Sequence, residues 1–221
     1  MTMKIKFILF LLLFSFLSET FSKESDFTLV RLKYNGGGDW YNDQSADVNI
    51  MKYVKDKTNI NIKPDYTFVD LASDDLFKYP MIWLTGHGNV SFTKQEVINL
   101  KAYLENGGFL YIDDDYGLDP YIRKELKKVF PDDELMELPF SHPIYKSYFD
   151  FSQGVPKIHE HDNKSPQGFG IYINGRLAVY YTYESNLGDG WADKNVHNDP
   201  DEVRENALKM GTNIIVYVLN N

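Results

Sequence analysis

The residues of this 221-residue chain that could perform chemistry occur in short polar clusters, each placed after an apolar segment. The first cluster is a run of three glycines followed by an aspartate and two aromatic residues. Glycines let the backbone approach a ligand closely, and neighbouring aromatic rings can stack on a sugar. A plain flexible turn is the alternative, because the run lacks the lysine of a phosphate-binding loop. The candidate ligand-binding residues here are Gly37, Gly38, Asp39, Trp40 and Tyr41.

A second cluster is a histidine between two glycines, His87, which follows the apolar segment Met81–Leu84. Flanking glycines at the end of a strand argue against a packed core position for this side chain. Its imidazole can titrate, bind a metal ion or hydrogen-bond a substrate. The alternative is a turn histidine bonded to the backbone. We take His87 as a candidate catalytic residue.

Three consecutive aspartates form the third cluster, Asp113 to Asp115, and Tyr116 comes next. Three adjacent carboxylates repel one another unless a cation, a basic side chain or helix amides offset their charge. The cluster therefore suits a hard cation such as calcium or a general base, with helix capping as the alternative. Asp113 and Asp114 are candidate catalytic residues, and Tyr116 is a candidate ligand-binding residue.

A histidine pair, His159 and His161, lies in a loop-rich region. On an extended segment both rings would face the same side, where they could bind zinc. The spacing matches no complete zinc signature, so an exposed polar loop is the alternative. The expected cofactor is therefore a divalent metal, zinc or calcium, with these two histidines as the metal ligands.

The last cluster combines acids, turn residues and a tryptophan. It lacks the oxygen-ligand pattern of an EF-hand, so we interpret it as a structured loop over the site. Its candidate ligand-binding residues are Glu184, Asp189 and Trp191.

The segments between these clusters alternate between strand and helix patterns, which predicts a mainly parallel open sheet with helices on both faces. Asn174-Gly175 adds a β-hairpin signal, and a final helix should start at an Asp199 N-cap. Because ligands bind beyond the carboxyl ends of such strands, we expect the clusters to share one edge. The predicted strands are Phe27–Tyr34, Tyr66–Leu71, Met81–Leu84, Phe109–Ile112, Leu135–Leu138, Phe169–Ile173 and Arg176–Tyr181; the predicted helices are Ala46–Lys57, Thr93 to Gly107, Asp119–Phe130 and Asp199–Val218.

The composition of the chain excludes several kinds of site and makes some binding partners poor candidates. The chain contains no cysteine, which excludes disulfides, thiolate metal sites and a cysteine nucleophile. Its formal net charge is −9, and an acidic domain is a poor candidate for nucleic-acid binding. Small molecules, carbohydrates or a protein partner of the cell envelope fit this charge better.

The N-terminus has the pattern of a secretory signal peptide. Lys4 and Lys6 precede an almost unbroken apolar run over Phe7–Leu17, followed by small residues up to Ser22. The run is too short to span a bilayer, so only an uncleaved segment would tie the protein to a membrane. Cleavage would shift the net charge from −9 to −10, since the segment holds two lysines and one glutamate. We expect a signal peptide at residues 1–22, a single α/β domain at 23–221, and a periplasmic or secreted location.

Taken together, the quoted motifs resemble the bacterial family called domain of unknown function 4159, over nearly the whole mature chain. The resemblance implies a class I glutamine amidotransferase-like, flavodoxin-type sheet, and it implies no established activity. Amidotransferases place a cysteine after the strand that here leads into Asp113, so glutamine hydrolysis by a thiolate is excluded. The motifs that carry the resemblance are Phe27–Tyr34, Gly36–Tyr41, Thr85–Gly88, Glu105–Leu110, Asp113-Asp114, His159–Asp162, Pro166–Gly168 and Gly188–Trp191.

Two functions stay open at this point. The first is an exported hydrolase-like or metal-dependent enzyme, with Asp114 or His87 as general base and the histidine pair on a metal. The second is a non-catalytic module that binds a carbohydrate or an envelope protein through aromatic platforms. Those platforms would be Trp40, Tyr41, Tyr116 and Trp191.

Overall fold

The computed structural model describes residues 27–221, so the predicted signal peptide at residues 1–22 lies outside the described residues. None of the helices in the described part is long and apolar enough to cross a membrane. The strands are β1 (Val30–Lys33), β2 (Phe68–Asp70), β3 (Met81–Leu84), β4 (Phe109–Asp113), β5 (Met136–Glu137), β6 (Gln167–Ile173) and β7 (Arg176–Tyr183). The helices are α1 (Ser45–Lys57), α2 (Lys94–Glu105), α3 (Asp119–Val129), α4 (Leu187–Trp191), α5 (Lys194–His197) and α6 (Asp201–Asn220), with 3₁₀ turns at Asp74–Lys78 and Pro143–Tyr145.

All seven strands form one sheet in the order β2-β1-β3-β4-β7-β6-β5. The first five pair in parallel, whereas β6 is antiparallel to both β7 and β5. The expected α/β fold with a mainly parallel sheet is therefore confirmed. The parallel strands follow the flavodoxin-like order, in which the chain moves outward from β1 to β2 and then crosses to β3. This reversal creates a switch point between the carboxyl ends of β1 and β3.

The sheet lies between two helical layers because its central strands carry apolar side chains on both faces. Strands β3 and β4 are buried along their whole length, as expected for a covered parallel sheet. On one face Leu84 and Ile112 belong to the same core as residues of α2 and α3. On the other face Trp83 and Tyr111 pack with residues of α1 and α6. Because both faces of the central strands are covered, the carboxyl ends of these strands are where the fold can open a site.

Several local signals in the sequence produce the predicted structures. Thr93 accepts a hydrogen bond from the backbone N–H of Glu96, whose carboxylate accepts one from the Thr93 N–H in return, so a capping box begins α2 at the predicted residue. Asn174 and Gly175 both have positive φ angles, 52° and 80°, as a two-residue hairpin turn requires. The hairpin strand β7 inserts beside β4 and so becomes part of the sheet interior.

The segment after β7 differs from the sequence prediction. The predicted loop with Glu184, Asp189 and Trp191 spans residues 184–198. It contains the short helices α4 and α5, and most of its first half is buried. The predicted N-cap of the last helix is also wrong. Helix α6 begins at Asp201, and the side chain of Asp199 accepts a hydrogen bond from His159 instead of capping it. Tertiary hydrogen bonds thus override the local capping preference here.

Candidate functional site

The loops that follow β1 and β3 meet at the switch point and hold His87 between two carboxylates. Asp39 Oδ1 accepts a hydrogen bond from the His87 backbone N–H at 2.6 Å, and its Oδ2 lies 3.0 Å from His87 Nδ1. His87 Nε2 lies 3.0 Å from Oδ1 of Asp115, which follows β4. Gly38 permits this contact, since a Cβ there would lie 2.7 Å from the His87 carbonyl oxygen. Gly37 faces open space, since a Cβ at that position would meet no atom within 4 Å.

These carboxylates stabilise the charged form of His87. Its pKa is raised to about 9, mainly by the hydrogen bond to Asp115, with Asp39 adding to the effect. Burial would raise the pKa of Asp115, but the hydrogen bond and charge of His87 outweigh it, so that this pKa is lowered. The His87 ring is 52% exposed, whereas the Asp115 side chain is 2% exposed. The site therefore presents an imidazolium to solvent at neutral pH.

Asp113 lies below the site and anchors α4. Its Oδ1 accepts hydrogen bonds from Tyr111, Thr182 and the Leu187 backbone N–H, and its Oδ2 accepts one from the Gly188 N–H at 2.6 Å. The side chain is fully buried, and burial raises its pKa to about 7 against the effect of these donors. This geometry makes Asp113 a positioning residue for α4, in contrast to the catalytic role expected from the sequence.

Asp114 faces His161. Its Oδ2 accepts the Glu184 backbone N–H at 2.9 Å and lies 3.8 Å from His161 Nδ1, and both side chains are buried. Burial alone would lower the pKa of His161, but the nearby carboxylate of Asp114 outweighs it and raises this pKa. The ring of Tyr116 meets His161 edge-on at 6.1 Å and is itself 61% exposed. Asp114 and His161 thus form a buried pair under an exposed tyrosine.

Glu184 holds the histidine loop to the end of β7. Its Oε2 forms an ion pair with Lys157 at 2.6 Å, and its Oε1 accepts the Asp162 backbone N–H at 3.0 Å. Burial would raise the pKa of Glu184, but Lys157 outweighs it and lowers this pKa. Because the carboxylate is buried and fully engaged, Glu184 positions the loop; it does not face a ligand.

His159 and His161 do not form the metal-binding pair that the sequence predicts. Their segment is a series of bends, so the strand alternation that would place both rings on one side does not apply. His159 Nδ1 instead lies 2.5 Å from Asp189 Oδ2, and its Nε2 lies 2.8 Å from Asp199 Oδ1. Its pKa is raised to about 9, mainly by the hydrogen bond to Asp189. Of the candidate ligand-binding residues Glu184, Asp189 and Trp191, Asp189 is thus the one that forms an ion pair with a histidine.

The aromatic candidates divide into exposed and buried residues. Tyr41 is 55% exposed, and Trp40 beside it is half-buried against the core and contacts Phe68 of β2 at 5.3 Å between ring centroids. Trp191 is 1% exposed, packs on Trp83 and donates its indole N–H to the Ala207 carbonyl. The expectation that Trp191 is a stacking platform is therefore wrong, since its ring belongs to the core.

A buried arginine that the sequence analysis missed shapes the loop after β1. Arg31 forms an ion pair with Asp47 of α1 at 2.5 Å, and both side chains are fully buried. Its guanidinium also donates to the carbonyls of Trp40 and Asn42, so it fixes the segment that supplies Asp39. The alternating pattern of β1 hid this role, because a charged residue in a strand normally indicates the solvent face.

Two amide side chains, also missed, connect the parts of the site. Asn42 donates to Asp115 Oδ2 at 2.8 Å. Asn186 donates to Asp189 Oδ2 at 2.7 Å and to Asp115 Oδ1 at 3.3 Å. Asn186 has a positive φ of 58°, a conformation that asparagine tolerates well. The sequence signal that could have identified this residue was an asparagine placed soon after a strand.

Comparison with known proteins identifies the family of this chain. Residues 28–219 match the family described as domain of unknown function (DUF4159). The chain belongs to this family. No curated protein matches it. The family description carries no activity, so the chemistry of this DUF4159 domain must be inferred from its site.

Proposed function

We propose that this DUF4159 domain is an exported hydrolase-like enzyme, with its site at the switch point and His87 as its proton donor. The observation that carries the proposal is the position of His87, a half-exposed imidazole between Asp39 and Asp115. In open α/β sheets of this order, ligands bind in the crevice outside the strand ends at the switch point. The site is therefore where the fold would place a ligand.

The strand order supports a class I glutamine amidotransferase-like fold as the origin of the scaffold. The five parallel strands have the flavodoxin-like order that this fold class shares. The chemistry must differ from that of amidotransferases, since the chain has no cysteine and a buried Asp113 follows the corresponding strand. Proton transfer by His87 is a chemistry that this edge can supply without a thiolate.

The two carboxylates give the ring nitrogens different tasks. Asp115 is nearly inaccessible and keeps His87 Nε2 in place, whereas Asp39 is 35% exposed. An oxygen atom of a bound substrate can take the place of Asp39 beside Nδ1. The protonated ring would then donate its proton to the leaving oxygen of a glycosidic or ester bond while a water molecule adds to the carbon of that bond, and the proton released by the water would pass to the displaced Asp39 carboxylate.

Exposed tyrosines beside His87 favour a carbohydrate as the substrate. The Tyr116 carbonyl accepts a hydrogen bond from the Gly88 N–H, which holds this tyrosine next to the His87 loop. Tyr41 lies two residues after Asp39 and is also exposed. Aromatic rings combined with carboxylates suit the apolar faces and hydroxyl groups of sugars. Export to the periplasm or beyond, inferred from the N-terminal pattern, would give access to envelope carbohydrates.

A non-catalytic carbohydrate-binding module, or one that binds an envelope protein, is the second candidate. It is favoured by the hydrogen bonds that both oxygens of Asp113 and Oδ2 of Asp114 already accept inside the protein. Asp113 is therefore not free to activate a water molecule, and Asp114 is buried beside His161. In this case His87, Tyr41 and Tyr116 would bind the same ligand without reaction.

The experiment is a screen of the purified protein for binding and hydrolysis of soluble peptidoglycan fragments and an oligosaccharide array. We expect His87→Gln to abolish turnover, and Tyr116→Ala to weaken binding about fivefold, since one stacked ring contributes on the order of 1 kcal/mol. Phe77→Ala is the matched control. This exposed phenylalanine lies in the 3₁₀ turn before β3 and packs on Tyr103, away from His87.

The outcomes separate the candidates. Binding with turnover that requires His87 supports the enzyme. Binding without turnover, weakened by Tyr116→Ala, supports the carbohydrate module. Capture of an envelope protein with no glycan binding supports the protein-binding alternative. Binding unaffected by both His87→Gln and Tyr116→Ala would contradict the proposed site.

A further inference from the structure

A second histidine cluster lies beside the proposed site, where the loop before β6 meets α4 and α5. His159 Nδ1 lies 2.5 Å from Asp189 Oδ2, and His197 Nε2 lies 3.5 Å from Asp189 Oδ1. One donor atom from each of the three residues lies within 4.8 Å of the others. Within residues 27–221 this is the group of three such side chains close enough to share a metal ion.

The carboxylates of this cluster outnumber the basic side chains that contact them. Three carboxylates, those of Asp43, Asp189 and Asp199, contact only the two histidines among their ion-pair partners. No lysine or arginine of the described residues pairs with them at ion-pair distance. Asp199 is 8% exposed, and its Oδ2 is buried without a hydrogen-bond partner. Buried carboxylates of this kind are costly unless they are paired or help to hold a metal ion.

The hydrogen bonds also prepare His159 as a ligand. Its Nε2 faces Asp199 Oδ1 at 2.8 Å, an arrangement that keeps a proton on Nε2, while zinc would displace the proton that Nδ1 now shares with Asp189 Oδ2. Two imidazoles and one carboxylate are the donor set of catalytic zinc sites, which keep a fourth position for water. Tetrahedral ligands about 2.0–2.1 Å from zinc lie roughly 3.3 Å apart. His197 Nε2 and Asp189 Oδ1 are 3.5 Å apart, close to this spacing, whereas His159 Nδ1 and Asp189 Oδ2, now 2.5 Å apart, would separate as zinc enters between them.

We propose that His159, Asp189 and His197 bind one zinc ion, with Asp199 orienting His159. Zinc would take the place of Asp43 as the partner of His197 Nε2, from which Asp43 Oδ2 now lies 2.7 Å. His197 thereby replaces His161 as the second imidazole ligand. The site goes beyond the proposed hydrolase-like function, and zinc binding can be measured with no substrate present.

The test is zinc binding by the purified, EDTA-treated protein, measured by isothermal titration calorimetry and by elemental analysis after dialysis. We expect one zinc per chain. His159→Ala and His197→Ala should each lower the affinity at least 100-fold, and Asp199→Asn by about 10- to 100-fold, as for other partners of metal-bound histidines. His161→Ala is the matched control from the same loop and should leave the affinity unchanged. Circular dichroism of each variant before zinc addition confirms that it is folded.

Four results would overturn the proposal. They are the absence of bound zinc, equal binding by a His159→Ala, His197→Ala double variant, a preference for calcium over zinc, and a loss in His161→Ala as large as that in His197→Ala. If an alanine variant does not fold, Asp199→Asn decides, because it keeps the side-chain shape and weakens only the hydrogen bond to His159. An unchanged affinity in that variant also contradicts the assignment.

Discussion

His87 and His159 share one arrangement, an imidazole whose two ring nitrogens both lie beside carboxylates. His142 provides a contrast, since its Nδ1 accepts the Ile144 backbone N–H and burial lowers its pKa. The sequence identified His87 and Asp39 as candidates in separate clusters. Their pairing could not be predicted, because they are 48 residues apart and meet only through the strand order.

We predict that the His87 ring titrates at about pH 9, whereas His142 titrates below 6.5. The measurement is a titration of the histidine Cε1 protons by NMR. Asp39→Asn should move the midpoint of His87 downward by removing one of its two carboxylates, while His142 serves as the internal control. A His87 midpoint near 6.5 in the unmodified protein would contradict the account of this residue.

The raised pKa of His87 also makes the free energy of unfolding depend on pH. Because the folded pKa of His87 exceeds its ordinary value of 6.5, its contribution to the free energy of unfolding is complete below pH 6.5 and is lost as the pH rises through about 9. Since the ring is half exposed, solvent screening keeps this contribution small. Ring titration is therefore the sharper measurement.

At the scale of elements, a single carboxylate organises the segment after β7. Asp113 binds the backbone N–H groups of Leu187 and Gly188 at the start of α4, and α4 carries Asp189 into the histidine cluster. Helices of five and four residues have too short an apolar pattern to be detected in the sequence. The longer helices, by contrast, were predicted from their apolar periodicity because that signal is local, although the N-cap predicted for α6 was wrong.

We predict that Asp113→Ala lowers the free energy of unfolding by on the order of 3 kcal/mol, because it leaves several buried donors without an acceptor. The measurement is urea denaturation followed by circular dichroism. Asp132→Ala, an exposed aspartate in the loop before β5, is the control and should have no measurable effect. A loss in Asp113→Ala no larger than in the control would show that Asp113 does not anchor α4.

At the scale of the whole molecule, the parallel sheet gathers clusters that are far apart in the chain. The alternation of strand and helix patterns predicted that they would share the carboxyl edge, and His87, Asp115, Asp189 and His159 do lie there in one connected network. The buried ion pair of Arg31 and Asp47 was not predicted, because burial of a charge depends on the layer that covers it. Trp191 was misassigned for the same reason.

The central claim is that the switch point beside His87 binds the ligand of this domain. The most direct test is the NMR spectrum of the histidine side chains, recorded while the best-binding oligosaccharide from the array is added. We expect saturable shifts of the His87 resonances, no shift of His142, and saturation at about fivefold higher oligosaccharide concentration in Tyr116→Ala. Saturable binding that leaves the His87 resonances unchanged would contradict the central claim.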